Sequence, residues 1–196
     1  FSFRYAPLDQ FGKTLADVAD VQWTAPTSPL GSTVSLKNDN GLITATFDRA
    51  GAYTLRLQLN NVRSELSVNV AAVLASLSIG VPDDSSANSS DPFVVTSALQ
   101  TLKVTGLDQF GMTMSVLPKL QWTSPTAPTG GKLTIRQTGT SAQAGFNVAG
   151  SWSVAVSAGE ISASKSFNVV STATKFNLSN SAGTAISGTS SVIVPG

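Results

Sequence analysis

The chain repeats itself at an offset of 99 residues, and this repeat limits its fold more than any other feature. The stretch Leu-Asp-Gln-Phe-Gly at residues 8–12 recurs at residues 107–111, and Gln-Trp-Thr recurs at the same offset. Residues 8–79 align with residues 107–178 without a gap, with 20 identities in 72 positions. A period this long fits a whole small domain rather than one unit of a solenoid. The sequence therefore predicts the same domain fold twice.

Apolar and polar side chains alternate in most segments that lie between turn signals. Residues 53–57, Tyr-Thr-Leu-Arg-Leu, and residues 152–156, Trp-Ser-Val-Ala-Val, are equivalent examples. A period of two is typical of half-buried β-strands, and turn residues such as Asn-Asp-Asn-Gly at residues 38–41 separate them. The sequence therefore predicts an all-β sandwich in each copy. For the second copy it predicts seven strands, approximately at residues 74–80, 92–105, 119–124, 132–137, 142–148, 151–158 and 160–169.

The composition removes most catalytic chemistry. The chain has no cysteine and no histidine, so disulfides, thiolate nucleophiles and a Ser-His-Asp triad are excluded. An enzyme would need paired carboxylates, and the acidic residues are scattered over equivalent turns, so we expect no enzymatic activity. The 12 basic and 11 acidic residues give a net charge of +1, which gives no reason to expect nucleic acid as a partner. No apolar run approaches the length of a membrane-spanning helix, so direct membrane insertion is not expected either.

The frame of the repeat divides the chain into three parts. Residues 1–73 form a first repeat that lacks its first strand segment, because Phe1 aligns with Gln100. Residues 74–172 form a complete second repeat. Residues 173–196, here the terminal segment, correspond to the first strand segment of a further unit.

Three motifs carry a resemblance to a known family. They are the Asp-Gln-Phe-Gly turn, the Gln-Trp-Thr strand, and the pair of segments at residues 40–45 and 50–55. With these motifs the chain resembles the bacterial immunoglobulin-like domains, of the Big or invasin type, that occur in tandem in surface adhesins and fibres. The second repeat departs from the pattern at residues 140–144 and at Trp152. The resemblance implies tandem immunoglobulin-like β-sandwiches at the bacterial cell surface, acting as an extracellular spacer, stalk or fibre.

Aromatic side chains on the apolar faces of the strands are the expected core. Trp23 lies in phase with Val21, and Trp122 lies in phase with Leu120. We therefore expect these indoles to be buried rather than to form a carbohydrate-binding platform. The predicted core residues are Phe11, Trp23, Phe47, Tyr53, Phe110, Trp122, Phe146, Trp152 and Phe167.

Aspartates are the candidate polar site residues. Asp9 and Asp108 are equivalent, and we expect each to accept backbone hydrogen bonds within its own turn rather than to act in catalysis. Asp83, Asp84 and Asp91 offer oxygen ligands that suit calcium, but their spacing matches no known calcium loop. A solvated linker is the favoured interpretation of that stretch, so we expect no cofactor, with calcium as the alternative.

The frame of the repeat also indicates a mode of assembly. The terminal segment of one molecule could complete the first repeat of the next by β-strand donation, giving a head-to-tail filament. The apolar residues expected to make this contact are Phe176, Leu178, Val192, Ile193 and Val194. We therefore expect a structural building block of an extracellular fibre, stalk or adhesin shaft, which associates with itself or with neighbouring immunoglobulin-like units. The alternative is an adhesin module that binds a carbohydrate or a host protein.

Overall fold

The computed structural model describes residues 1–15, 21–39, 41–82 and 92–173, together with residues 177, 179 and 185. The regular elements in these residues are all β-strands, and no described segment forms a helix that could cross a membrane. The strands of the first repeat are β1 (Ser2–Arg4), β2 (Gln22–Thr27), β3 (Val34–Asp39), β4 (Leu42–Phe47), β5 (Gly51–Leu59) and β6 (Val62–Val70). Those of the second repeat are β7 (Leu74–Gly80), β8 (Phe93–Val95), β9 (Leu99–Asp108), β10 (Gln121–Thr126), β11 (Leu133–Thr138), β12 (Ser141–Phe146), β13 (Gly150–Ala158) and β14 (Ile161–Val169).

Each repeat builds two sheets from its own described strands. The second repeat has the sheets β10-β13-β14-β8 and β11-β12-β9-β7, and the first repeat has β2-β5-β6 and β1-β4-β3. All pairs are antiparallel except β14 with β8, which are parallel. Two such sheets enclosing a core form an immunoglobulin-like sandwich. The predicted fold class, an all-β chain with tandem immunoglobulin-like sandwiches, is confirmed.

The register of strand pairing is the same at equivalent places. The pairing of β2 with β5 is irregular between Thr24 and Thr27, and that of β10 with β13 is irregular between Thr123 and Thr126. A proline lies one residue before the end of each irregular stretch. Because proline has no N–H to donate to the ladder, it interrupts the pairing there. A local sequence feature thus sets the same bulge in both repeats.

The large hydrophobic core lies in the second repeat. Leu102 of β9, Trp152 and Val154 of β13 and Phe167 of β14 belong to one buried cluster and are each at most 1% exposed. The ring centroid of Phe146 lies 5.2 Å from that of Trp152 and 5.8 Å from that of Phe167. Because these strands come from both sheets, the cluster fills the space between them.

The prediction of one continuous strand over residues 92–105 is wrong, because this stretch contains two strands. The chain forms β8, exposes residues 96–98, and then forms β9 in the opposite sheet. Val95 and Leu102 are both buried, at 1% and 0% exposure. Four consecutive exposed residues, 96–99, break the alternation between them, because the chain crosses from one sheet to the other at this point. The second repeat therefore has eight described strands rather than seven.

The predicted core residues differ in burial. Those at 0–5% exposure are Tyr53, Phe146, Trp152 and Phe167. Those that are half-buried are Trp23, Phe47, Phe110 and Trp122. The assignment of Phe11 to the core is wrong, because its side chain is 80% exposed. Phe11 lies at the tip of a turn beyond the strands, where alternation between an inner and an outer face no longer applies.

Candidate functional site

The repeated Asp-Gln-Phe-Gly turn is held by its own aspartate. The Asp108 carboxylate accepts hydrogen bonds from the N–H groups of Phe110 and Met112, both at 2.9 Å. Asp9 accepts the two equivalent bonds in the first repeat, at 2.9 and 2.8 Å. Gly111 has a φ of 76°, which lets the chain reverse at little steric cost. Both carboxylates therefore have the structural role predicted for them.

Gln109 connects this turn to the segment between the repeats. Its Nε2 donates to the carbonyl oxygen of Ala71 at 2.8 Å, and its Oε1 accepts from the N–H of Val73 at 2.7 Å. Its backbone N–H also donates to the carbonyl oxygen of Val73, at 3.1 Å. Three hydrogen bonds thus fix the chain that leaves the first repeat against the turn of the second.

A cleft of about 450 Å³ lies beside this junction, with residues of both repeats in its wall. Its lining includes Pro29, Arg49, Ala72, Asp108, Met114 and Val116. Arg49 donates to the carbonyl oxygen of Leu30 at 3.2 Å, and Asp108 is engaged in its turn, so these two groups are not arranged as an acid–base pair. Within the described ranges, no three side chains of the Asp, Glu, His or Cys type gather as metal ligands.

The first repeat has two strand edges that are covered in the second. In the second repeat, β7 pairs with β9 and β8 pairs with β14. The counterparts of β9 and β14 in the first repeat are β1 and β6, and each is the edge strand of its three-stranded sheet. No strand in the described part of the chain pairs with those edges. Unpaired N–H and C=O groups on an edge are a template for a further strand.

The apolar interior of the first repeat is correspondingly small. Its described residues include four buried apolar side chains, which are Ile43, Ala45, Tyr53 and Leu55. Val62 and Leu66, on the inward-facing positions of β6, are 73% and 37% exposed. In the second repeat β7 packs against β14, and the equivalent residues Ile161 and Lys165 are half-buried. The sheet faces of the first repeat thus present apolar surface that a further strand would bury.

The two equivalent tryptophans of the Gln-Trp-Thr strand have different polar partners. Trp122 Nε1 donates to Oε1 of Gln137 at 3.0 Å, whereas Trp23 Nε1 is buried without a hydrogen-bond partner among the described residues. The position equivalent to Gln137 is Asn38, whose side chain is one methylene shorter and accepts from the N–H of Gly41 at 3.0 Å. The indole of the first repeat is therefore left without the acceptor that its counterpart has.

Two groups of predicted site residues lie outside the described residues. They are the calcium candidates Asp83, Asp84 and Asp91, and the assembly residues Phe176, Leu178, Val192, Ile193 and Val194. Both assignments stay predictions.

Sequence reasoning did not identify Gln109 as a contact residue. A signal was present, because glutamine occupies the second position of the turn in both repeats although aspartate and glycine alone account for the turn itself.

Comparisons with known proteins return similar solved structures only. No protein-family model matches the chain, and no curated protein matches it. A structure of domains 4 and 5 of the S-layer protein SbsC is 19% identical with a TM-score of 0.39, over 84% of this chain and 79% of that one. One of SbsC domains 1–6 is 18% identical with a TM-score of 0.42, over 91% of this chain and 26% of that one. A tandem of titin Ig domains is 16% identical with a TM-score of 0.38, over 78% of this chain and 81% of that one.

The chain is therefore classed by its own strand order and pairing, as tandem immunoglobulin-like β-sandwiches. The Big or invasin type stays a prediction, as does the assignment of the repeat boundaries.

Proposed function

We propose that the chain is a structural building block of an extracellular bacterial fibre, stalk or adhesin shaft, without enzymatic activity and without a cofactor. The polar chemistry of its junction supports a role in cohesion. The Asp108 carboxylate closes a turn, and the Gln109 amide ties that turn to the neighbouring repeat. The bacterial surface location is supported by the resemblance of the repeated motifs to tandem surface domains.

We further propose that molecules assemble head-to-tail by strand complementation. The observation that carries this is the pair of edges on β1 and β6 that no described strand pairs with, at the places where the second repeat has β7 and β8. Residues 174–178 of the terminal segment align with residues 75–79 of β7, and residues 192–194 align with β8. Donation of this segment to another molecule joins two different surfaces, which gives an open polymer.

The pairing of the second repeat gives the register that the donated strands would adopt. Ile79 pairs with Val104, and Phe93 pairs with Phe167. At equivalent positions, Leu178 of the donor would pair with Tyr5, and Val192 with Val68. Donor residues 192–194 would therefore run parallel to β6, as β8 runs parallel to β14.

Deletion of the terminal segment tests the proposed assembly. We expect the full chain to form filaments that lengthen with concentration, and a chain ending at residue 172 to remain monomeric, measured by electron microscopy and sedimentation velocity. A second variant, Leu178→Arg with Val194→Arg, keeps the length of the chain and places charge on both donated strands, so it should also stay monomeric. Thr189→Arg, between the two aligned stretches, is its matched control and should assemble normally. Filaments formed equally well by the truncated chain would exclude strand donation.

The absence of cysteine allows the register itself to be tested. A chain with Tyr5→Cys mixed with a chain with Leu178→Cys should give a disulfide-linked dimer under mild oxidation, because paired strand residues lie close enough for a disulfide. Glu65→Cys, on the exposed side of β6, replaces Tyr5→Cys in the control mixture and should give little cross-linking. Carbohydrate or host-protein binding by a chain that never assembles would instead favour the adhesin-module alternative.

A further inference from the structure

Among the described residues, the glutamine side chain of the repeated turn forms no hydrogen bond within its own turn. The internal bonds of the second turn come from the Asp108 carboxylate and from the backbone. Both polar atoms of the Gln109 side chain instead bond to the backbone of the segment that leaves the first repeat. In the first turn, no described residue forms a hydrogen bond with the side chain of Gln10. The first turn therefore presents the same amide with its binding capacity unused by the described residues.

Gln109 recognises main chain rather than side chains. It binds the carbonyl oxygen of Ala71 and the N–H of Val73, two residues further on. In an extended chain these alternate residues direct their polar groups to the same side. Any exposed extended segment of three residues offers the same two groups, the carbonyl oxygen of its first residue and the N–H of its third, provided that the third residue is not proline.

We infer that the first turn, residues 8–12, is a docking surface for the segment that follows the last strand of another copy of this chain. That segment is Val-Ser-Thr at residues 170–172, which aligns with the segment that Gln109 holds. Gln10 donates to the carbonyl oxygen of its first residue and accepts from the N–H of its third. The inference rests on the head-to-tail assembly proposed above, and it adds the residue that sets the register of the donated chain.

Both surfaces are accessible for this contact. Residues 170–172 are exposed, and the N–H of Val170 donates to the carbonyl oxygen of Val95 at 2.9 Å, which anchors the start of the segment beside β8. Leu8 and Phe11 of the first turn are 59% and 80% exposed. Their counterparts in the second turn, which has its partner segment in place, are half-buried. Docking would thus bury the apolar side chains of Leu8 and Phe11 and provide hydrogen-bond partners for the amide of Gln10.

The first test compares self-association of the full wild-type chain with that of Gln10→Ala by sedimentation velocity at graded concentrations. Loss of two neutral hydrogen bonds is expected to weaken association about tenfold. Gln10→Glu keeps the acceptor but loses the donor, so it should also weaken association. Gln22→Ala, an exposed glutamine in the same repeat, is the matched control and should leave it unchanged. Circular dichroism should show the same folded spectrum for all four chains.

The second test examines the occupied turn within one molecule. A chain with Ser67→Cys on the exposed face of β6 and Ser162→Cys on that of β14 carries one spin label in each repeat. Adding Gln109→Ala should broaden the distribution of distances between the labels, because the bonds that fix the connecting segment are lost. A distribution unchanged by Gln109→Ala would show that the amide does not act as a connector, and the inference would be wrong.

The outcomes separate the inference from the proposed function. Assembly that is unchanged by Gln10→Ala overturns the docking surface alone and leaves head-to-tail assembly standing. A wild-type chain that stays monomeric overturns the proposed assembly together with the docking surface.

Discussion

The hydroxyl group of Tyr53 donates a hydrogen bond of 2.9 Å to the carbonyl oxygen of Arg49. At the equivalent place in the second repeat, Trp152 Nε1 donates to the carbonyl oxygen of Val148 at 3.2 Å. Both aromatic side chains are 1% exposed. Each repeat therefore ties a buried ring to the backbone four residues earlier, although the ring and its donor atom differ.

Tyr53→Phe should test the contribution of this bond to the first repeat. The variant keeps the ring and removes only the donor, so the first repeat should lose about 1 kcal/mol of its free energy of unfolding. The measurement is urea unfolding followed by NMR amide signals assigned to each repeat. The signals of the second repeat are the internal control and should keep their midpoint. An unchanged midpoint for the first repeat would show that water replaces the hydroxyl without cost.

Gly150→Ala should be far more destabilising than Gly159→Ala. Gly150 has a φ of 134°, and an added Cβ would lie 2.6 Å from Cγ of Pro128. The combined backbone strain and overlap should cost about 3 kcal/mol in the second repeat. Gly159 has a φ of 62° and no atom within 4 Å of an added Cβ, so its substitution should cost about 1 kcal/mol. Similar urea midpoints for the two variants would mean that Pro128 moves aside freely.

The sequence predicted the features that depend on neighbouring residues. The alternation of apolar and polar residues over 151–158 and 160–169 predicted strands close to β13 and β14. Successive side chains of a strand point to opposite faces of the sheet, so the local sequence alone determines which residues face the core. The turn role of Asp9 and Asp108 was also predictable, since the acceptor and its donors lie within four residues. Local physical rules are enough for such features.

Features that depend on distant segments were missed. The crossing between sheets at residues 96–98 depends on which strands lie beside β8 and β9. The exposure of Phe11 depends on whether another segment covers its turn. Gln109 contacts residues 36 and 38 positions away, so no local pattern contains that interaction. The one signal in the sequence was that the turn has the same residues in both repeats, which indicates a shared role for its glutamine.

Gln137→Ala should destabilise the second repeat by removing two hydrogen bonds. The side chain accepts from Trp122 Nε1 at 3.0 Å and donates to the carbonyl oxygen of Gly139 at 2.9 Å. Because both bonds are exposed, we expect a loss of about 1 kcal/mol, measured by urea unfolding. Asn38→Ala is the matched variant in the first repeat and removes the bond to Gly41 without affecting the indole of Trp23. The Trp122 indole should change its fluorescence in Gln137→Ala, and an unchanged spectrum would contradict the contact.

Asp48 should make the stability of the first repeat depend on pH. Its carboxylate accepts from the N–H and the hydroxyl of Thr33, both at 2.8 Å, and these bonds, the backbone one first, hold the pKa of Asp48 below its ordinary value of 3.8. Because the pKa is lower in the folded than in the unfolded chain, this contribution is complete above the unfolded value and is lost as the pH falls through the folded value. The first repeat of the wild type should therefore weaken more steeply than that of Asp48→Asn between about pH 5 and about pH 2. The second repeat has Asn147 at the position of Asp48, and Oδ1 of Asn147 accepts from the N–H of Lys132 at 2.6 Å. The urea midpoints of the second repeat therefore provide a reference that lacks the carboxylate. Parallel pH profiles for wild type and Asp48→Asn would show that the Thr33 bonds do not favour the ionised form.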